Sequence, residues 1–163
     1  MKIRENFRLV VLLFTLCVTT GDGSSIAEIS QPLFAPNVHS GIVWETGPSD
    51  MTGLELVKTG MTSLGLIKVY RNKLENLNYH DIKFNSIEYG FTDREKLIFV
   101  AYKSEGMENW AAFKKLAIGN YGPGFVRHES NRYIIYIWNI NGYTVALEYD
   151  KISKSSVLLL VSG

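Results

Sequence analysis

The chain has 163 residues, with 17 Lys and Arg against 16 Asp and Glu, and a single cysteine. A chain so close to neutral, without a basic run, is not typical of proteins that bind nucleic acid or anionic membrane surfaces. Its length suits one domain of ordinary size.

The first 27 residues have the pattern of a signal peptide, 1–27. Their start is basic, and the apolar run at 9–18 is shorter than the roughly 20 residues that span a bilayer. Small and polar residues follow this run, which favours cleavage and export to the periplasm or the extracellular space. Two alternatives stay open: an N-terminal membrane anchor that is never removed, and a lipid anchor at Cys17.

Cleavage after the signal peptide changes both charge and chemistry. It takes away three of the 17 basic residues and two of the 16 acidic ones, so 14 of each remain. It also removes Cys17, and with it disulfides, cysteine nucleophiles and cysteine-ligated zinc. We interpret the rest as an N-terminal arm, 28–40, and one domain, 41–163. Its zero net charge gives little repulsion between copies, so self-association or another protein partner is open.

The first half of this domain reads as short strands. A turn at 46–50 is expected to lead into a short helical turn over 54–57. Alternation in 82–84 and 87–91 is out of phase, which predicts a bulge or a break between two strands. The continuous apolar run at 97–102 predicts a central strand. The β-rich runs are 42–44, 64–70, 82–84, 87–91 and 97–102.

One amphipathic helix is predicted at about 107–121. Met107, Trp110, Phe113, Ala117 and Tyr121 recur at steps of three and four residues. Glycine, asparagine and proline then end the helix, because the first two tolerate left-handed backbone and proline cannot continue the ladder. A stripe that carries a Trp and a Phe needs a sheet face to pack against.

The second half predicts another set of strands, at 132–138, 143–149 and 157–161. Asn141-Gly142 lies between the first two, and both residues accept positive φ, which indicates a tight hairpin. The fold class is therefore α+β: a mostly antiparallel sheet of five to seven strands with one principal helix packed on one face.

Three stretches give the chain a resemblance to a known group. They are Ser40-Gly-Ile-Val-Trp-Glu45, Ser86-Ile-Glu-Tyr-Gly-Phe91 and residues 110–122. Their order resembles small exported bacterial proteins of unassigned function, which open with Phe-x-Gly-x-x-Trp-Gly and have a strand-helix-strand core. His39 stands here in place of the Phe, and Glu45 in place of the last Gly. The resemblance implies fold and export, and it carries no catalytic residues.

Motifs of catalysis and metal binding are not found in the sequence. His39, His80 and His128 are not spaced as metal ligands, and no nucleophile elbow, phosphate loop or dinucleotide fingerprint occurs. We therefore predict no catalytic residue, no metal and no cofactor, and we lean against an enzyme. Glu88 and Glu148 are expected on strand faces away from the helix, where they keep the sheet soluble.

Aromatic residues are the one surplus, and they suggest a binding surface. One helix covers only one face of a sheet, so some rings are expected on the uncovered face or paired across strands. Ordinary sheet packing is the other explanation. Arg127 and His128 form a polar spot beside them. The candidate binding residues are Tyr133, Tyr136, Trp138, Tyr143, Arg127 and His128.

Three functions follow from these observations. The first is a non-enzymatic exported binding module that uses an aromatic sheet face. The second is a small cell-envelope hydrolase, which requires His128, Glu129 and another acid to meet in a pocket. The third is a homo-oligomeric structural protein that pairs through the edge of its last strand, 157–161.

Overall fold

The computed structural model describes Trp44 and residues 46–79, 81–140 and 143–162. The predicted signal peptide, the arm, Cys17, His39 and His80 lie outside these residues, as does most of the predicted strand 42–44. Within them, a 3-10 turn at Pro48–Asp50 precedes ten strands and one helix. The strands are β1 (Leu54–Thr62), β2 (Gly65–Asn72), β3 (Asn78–Tyr79), β4 (Ile82–Lys83), β5 (Ser86–Thr92), β6 (Leu97–Glu105), β7 (Val126–Glu129), β8 (Tyr133–Ile140), β9 (Tyr143–Asp150) and β10 (Ser155–Ser162). The helix α1 spans Met107–Tyr121 between β6 and β7.

The main sheet has eight strands in the order β1-β2-β5-β6-β10-β9-β8-β7, and neighbouring strands are antiparallel. Each half is a four-stranded meander, and the halves join where β6 pairs with β10. The predicted α+β class and antiparallel sheet are confirmed. β3 and β4 form a separate two-stranded hairpin.

The predicted strand count of five to seven was too low, because two segments of β structure were missed. Residues 54–57 were expected to form a helical turn, but they begin β1, which pairs with β2 along its length. Arg127 and His128 were interpreted as a polar spot outside the predicted strands, but residues 126–129 form β7 at the far edge. Pairing with a neighbouring strand decides the structure of both segments, and local propensity does not reveal it.

The helix has the predicted bounds, and the predicted packing is confirmed except at Met107, which is 59% exposed. Trp110, Phe113 and Ala117 are buried at three- and four-residue spacing. The indole of Trp110 stacks on the ring of Tyr149 with centroids 5.0 Å apart. Asn109 fixes the start of the helix: its amide donates to the carbonyl of Glu105 at 2.6 Å and accepts the N–H of Lys83 at 3.2 Å.

The sheet has an apolar cluster on each face. The larger one faces α1 and includes the inward rings of β5, β6, β8 and β9. On the opposite face, the described part of a second cluster consists of side chains of the sheet strands themselves. These are Ile67, Val69, Ile98, Phe99, Ala101, Ala146, Leu159 and Val161.

The last strand occupies the middle of the sheet. β10 lies between β6 and β9 and pairs with both over most of its length. The prediction that residues 157–161 form an edge that could pair with another chain is therefore wrong. The prediction that 97–102 is central is confirmed, because β6 lies between β5 and β10.

Candidate functional site

The structure places most of the predicted aromatic surface inside the protein. Tyr136, Trp138 and Tyr143 are buried on the face that α1 covers, so they do not form an exposed aromatic face. The indole N–H of Trp138 donates to the carbonyl of Gly122 at 2.9 Å, just beyond the helix. Strand alternation puts Tyr133 on the other face, where its ring lies half-buried under Arg132 at 4.9 Å. The rings serve packing, which was the alternative explanation.

The predicted polar spot lies at the surface, on β7. Arg127 is ion-paired with Glu129 and lies 6.0 Å from the ring of Tyr136. Glu129 also accepts a hydrogen bond from Lys151 at 2.8 Å. His128 is exposed and is paired with Ile135 of β8. The ion-pair partners of Glu129 are thus the cations of Arg127 and Lys151.

Glu88 is the centre of a charge cluster on the face opposite α1. The buried carboxylate lies 2.8 Å from Lys103, 3.4 Å from Arg71 and 3.9 Å from Lys58. Burial pushes the pKa of Glu88 up, but the three cations outweigh burial and hold it below its usual value. Glu88 lies on the predicted face, yet its charge is neutralised inside the protein instead of facing solvent.

Glu148 lies on the same face of the sheet as Glu88, but its charged neighbours are different. Burial and the negative charge of Asp150 raise the pKa of Glu148 to about 7, and Arg132 opposes them only partly. Arg132 is committed to Asp150, with Nε and Nη2 at 3.0 and 2.9 Å from one carboxylate oxygen. Glu148 therefore carries a proton that is exchanged near neutral pH.

A tyrosine and a glutamate share a hydrogen bond on the helix side of the sheet. The Tyr89 hydroxyl donates to Glu75 at 2.7 Å, and both residues are buried. Burial, together with the charge of Glu75, raises the pKa of Tyr89 and of Tyr102 far above the usual tyrosine value. Both hydroxyls therefore stay protonated at physiological pH.

Within the described residues, the main sheet ends in β1 on one side and β7 on the other, and these two edge strands differ sharply. β7 has four residues, and three of them are Arg127, His128 and Glu129. β1 has nine residues and exposes apolar side chains: Leu56 is 51% exposed, Val57 41% and Met61 71%. Leu64, in the turn after β1, is exposed as well. A long edge with apolar side chains is a ready template for another strand.

Sequence reasoning missed β1 because residues 54–57 were interpreted as a helical turn. The available signal was the content of β-branched residues, since Val57, Thr59 and Thr62 favour a strand. Whether that strand lies at an edge depends on the position of every other strand. Local sequence patterns therefore could not predict that β1 lies at an edge.

Metal and membrane chemistry can be judged for the residues that the structure describes. Among them, no three His, Cys, Asp or Glu side chains are grouped as metal ligands. No helix in that part of the chain is both long enough and apolar enough to cross a membrane. Comparison with protein-family models, curated proteins and solved structures yields no match to this chain.

Proposed function

We propose that this chain is an exported, non-enzymatic binding module that takes an extended partner strand along β1. The observation that carries the proposal is the position of β1, a nine-residue strand at one edge of the sheet that the described residues form. Addition of a strand to an exposed edge is a common mode of recognition, because main-chain hydrogen bonds give affinity and side-chain pockets give specificity.

The choice of β1 over β7 follows from how proteins protect sheet edges. Short strands and charged side chains discourage pairing, and β7 has both. β1 is twice as long and exposes Leu56, Val57 and Met61 beside its backbone groups. A strand that docks there gains hydrogen bonds and buries apolar surface at the same time.

Two features of β1 could protect its edge: Lys58 and a bulge. Lys58 directs its amine over the sheet, 3.9 Å from Glu88, instead of outward along the edge. A bulge interrupts the pairing with β2 between Leu56 and Lys58. The bulge leaves residues 58–62 regular, and these five residues are enough for a short ladder.

Site-specific photo-crosslinking in cells tests this proposal. A photoreactive amino acid at Met61 is expected to form a covalent protein adduct, because its side chain borders the docked strand. Ile152 is the matched control, since it is 72% exposed in the turn after β9, far along the sheet from β1. Equal labelling from Met61 and Ile152, or none from either, contradicts the proposal.

The export part rests on the basic start and the apolar run at 9–18, and it has its own test. Cell fractionation followed by N-terminal sequencing is expected to find the released chain starting near residue 28. A chain that retains its N-terminus inside the cell contradicts export. Acylation at Cys17 would instead show the lipid-anchored alternative.

A further inference from the structure

We propose that residues 28–43, the predicted arm and the start of the first predicted strand, lie across the face of the sheet opposite α1 and cover the second cluster. This proposal concerns a face of the sheet and not the edge at β1, so its test is separate from that of the proposed function. Its evidence is the burial of this face, the position of Trp44 and the composition of residues 28–43.

The side chains of the second cluster are almost completely buried. Ile67 and Val69 of β2, and Leu159 and Val161 of β10, are each exposed by 2% or less. The buried residues of α1 and of the hairpin β3–β4 belong to the other cluster. Among the described residues, the second cluster and the side chains that pack against it all come from strands of the main sheet. An apolar sheet face is buried against another element, so a further segment of the chain lies over this one.

The two halves of this face differ in a way that locates the cover. β2 and β8 are each the second strand from an edge. Ile67 and Val69 of β2 are buried, whereas Ile137 of β8 is only half-buried although it packs against the same cluster. Val126 of β7 is paired with Ile137, so its side chain points to the same side, and it is 52% exposed. The cover therefore extends over β2, β6 and β10 and stops short of β7.

Trp44, the described residue that directly follows residues 28–43, lies at one end of the second cluster. Its ring is 6.3 Å from that of Tyr143, the first residue of β9. Tyr143 is paired with Ser162, which follows Val161 of the second cluster. Trp44 itself packs on the α1 side. The preceding chain therefore needs only to pass round this end of the sheet to reach the opposite face.

Residues 28–43 have the length and the composition for this role. Sixteen extended residues span about 50 Å, whereas β9 lies only about 19 Å from β2 across β10, β6 and β5. Glu28 is the only Asp, Glu, Lys or Arg among them, so the rest of the segment can be buried without stripping a charge of water. Pro32 and Pro36 favour an extended course over a helix. The larger apolar side chains of the segment are Ile29, Leu33, Phe34, Val38, Ile42 and Val43.

Photo-crosslinking within the chain isolated from cells tests this cover. A photoreactive amino acid replaces Val157 of β10, which packs against the second cluster but is only half-buried, so there is room for the probe. Mass spectrometry is expected to find its adduct on a peptide from residues 28–43 of the same molecule. Lys115 is the matched control, because it is exposed on α1, and a probe there is not expected to reach these residues. An adduct of Val157 with residues 1–27 or with another molecule, or no adduct, overturns the proposal.

Urea unfolding provides a second measurement that needs no probe. Phe34→Asp is expected to lower the unfolding midpoint and to increase the fluorescence of a dye that binds apolar surface, because a carboxylate is not tolerated against the second cluster. Gln31→Asp is the matched control: it adds the same charge at a position that is already polar, and it is expected to leave both readings unchanged. If Phe34→Asp behaves like wild type or like Gln31→Asp, residues 28–43 do not cover this face. Photo-crosslinking from Met61 would still decide the proposed function, because Met61 lies on β1.

Discussion

The ring of Phe99 lies directly across the backbone of Gly90 on the neighbouring strand. The two residues are paired between β5 and β6, and a Cβ at Gly90 would lie well under 3.0 Å from ring atoms of Phe99. The ladder shifts register immediately afterwards, between Gly90 and Phe91. Phe99 belongs to the cluster on the face opposite α1. The glycine in Tyr89-Gly90-Phe91 is thus required by close packing in the middle of the sheet.

Gly90→Ala is expected to destabilise the protein by about 1–3 kcal/mol, because the added methyl group forces the Phe99 ring to move. The measurement is the midpoint of urea unfolding. Gly119→Ala is the matched control, since a Cβ there meets nothing within 4 Å and alanine favours the helix by about 1 kcal/mol. Equal midpoints for the two variants would contradict the packing described for Gly90.

Tyr136 and Tyr133 lie on the same strand, but Tyr136 is buried in the core and Tyr133 lies at the surface. Substitution of each therefore tests which face of the strand is packed. Tyr136 is buried between Trp110 at 5.9 Å and Phe125 at 4.7 Å. Tyr136→Ala is expected to lower the free energy of unfolding by about 3 kcal/mol, as large-to-small changes in a core do. Tyr133→Ala is expected to cost less than about 1 kcal/mol. If urea unfolding shows a larger loss of unfolding free energy for Tyr133→Ala than for Tyr136→Ala, the assignment of the two faces is contradicted.

Glu148 is expected to make stability fall as pH rises. Its folded-state pKa of about 7 lies above the ordinary value of 4.5, so the native state holds a proton that the unfolded chain has lost. The stabilisation is complete below the ordinary pKa and is lost up to about pH 7. Glu148→Gln keeps a neutral side chain at every pH. Relative to wild type, the variant should gain about 2 kcal/mol in unfolding free energy between pH 5 and pH 8. If the difference in unfolding free energy between Glu148→Gln and wild type stays constant over this pH range, the pKa of Glu148 is not raised in the folded state.

Glu88 is expected to behave in the opposite way. Its pKa is held below the usual value, so the stability it contributes is present at neutral pH and is lost as pH falls through the folded pKa. Glu88→Gln leaves Lys103 and its neighbours without their carboxylate, at a cost of about 3 kcal/mol. Glu55→Gln breaks only the exposed pair with Lys73 and should cost less than about 1 kcal/mol. If Glu88→Gln and Glu55→Gln lose similar amounts of unfolding free energy in urea at pH 7, a central role for Glu88 is contradicted.

The sequence predicted the elements whose signal is local and periodic. The spacing of Trp110, Phe113 and Ala117 predicted the helix with its observed bounds, and the alternation after Tyr143 predicted β9. The hairpin that joins β8 and β9 is confirmed by the pairing of Ile140 with Tyr143, although its turn residues lie outside those described. Regular periodicity indicates which side chains share a face of an element, and the folded protein keeps these side chains on the same face.

Position within the sheet could not be predicted from such patterns. Alternation shows that Tyr136 and Trp138 share a face, but the course of the chain from β6 through α1 to β7 decides which face the helix covers. Likewise, β10 is central only because Leu159 pairs with Ala101 of β6, 58 positions earlier in the numbering. The candidate site was missed for the same reason, since an edge is defined by the strand that is absent beside it.

Hydrogen exchange along β1 tests the central claim most directly. In a docked edge, the alternate amides of residues 58–62 that point away from β2 are hydrogen-bonded to the partner strand. In the chain isolated from cells with its bound partner, we expect them to exchange as slowly as the amides of β2. We expect rapid exchange in Met61→Lys, while Ile152→Lys leaves them protected. If these amides of the wild-type chain, isolated in the same way, exchange as fast as those of the exposed strand β7, the proposed function is contradicted.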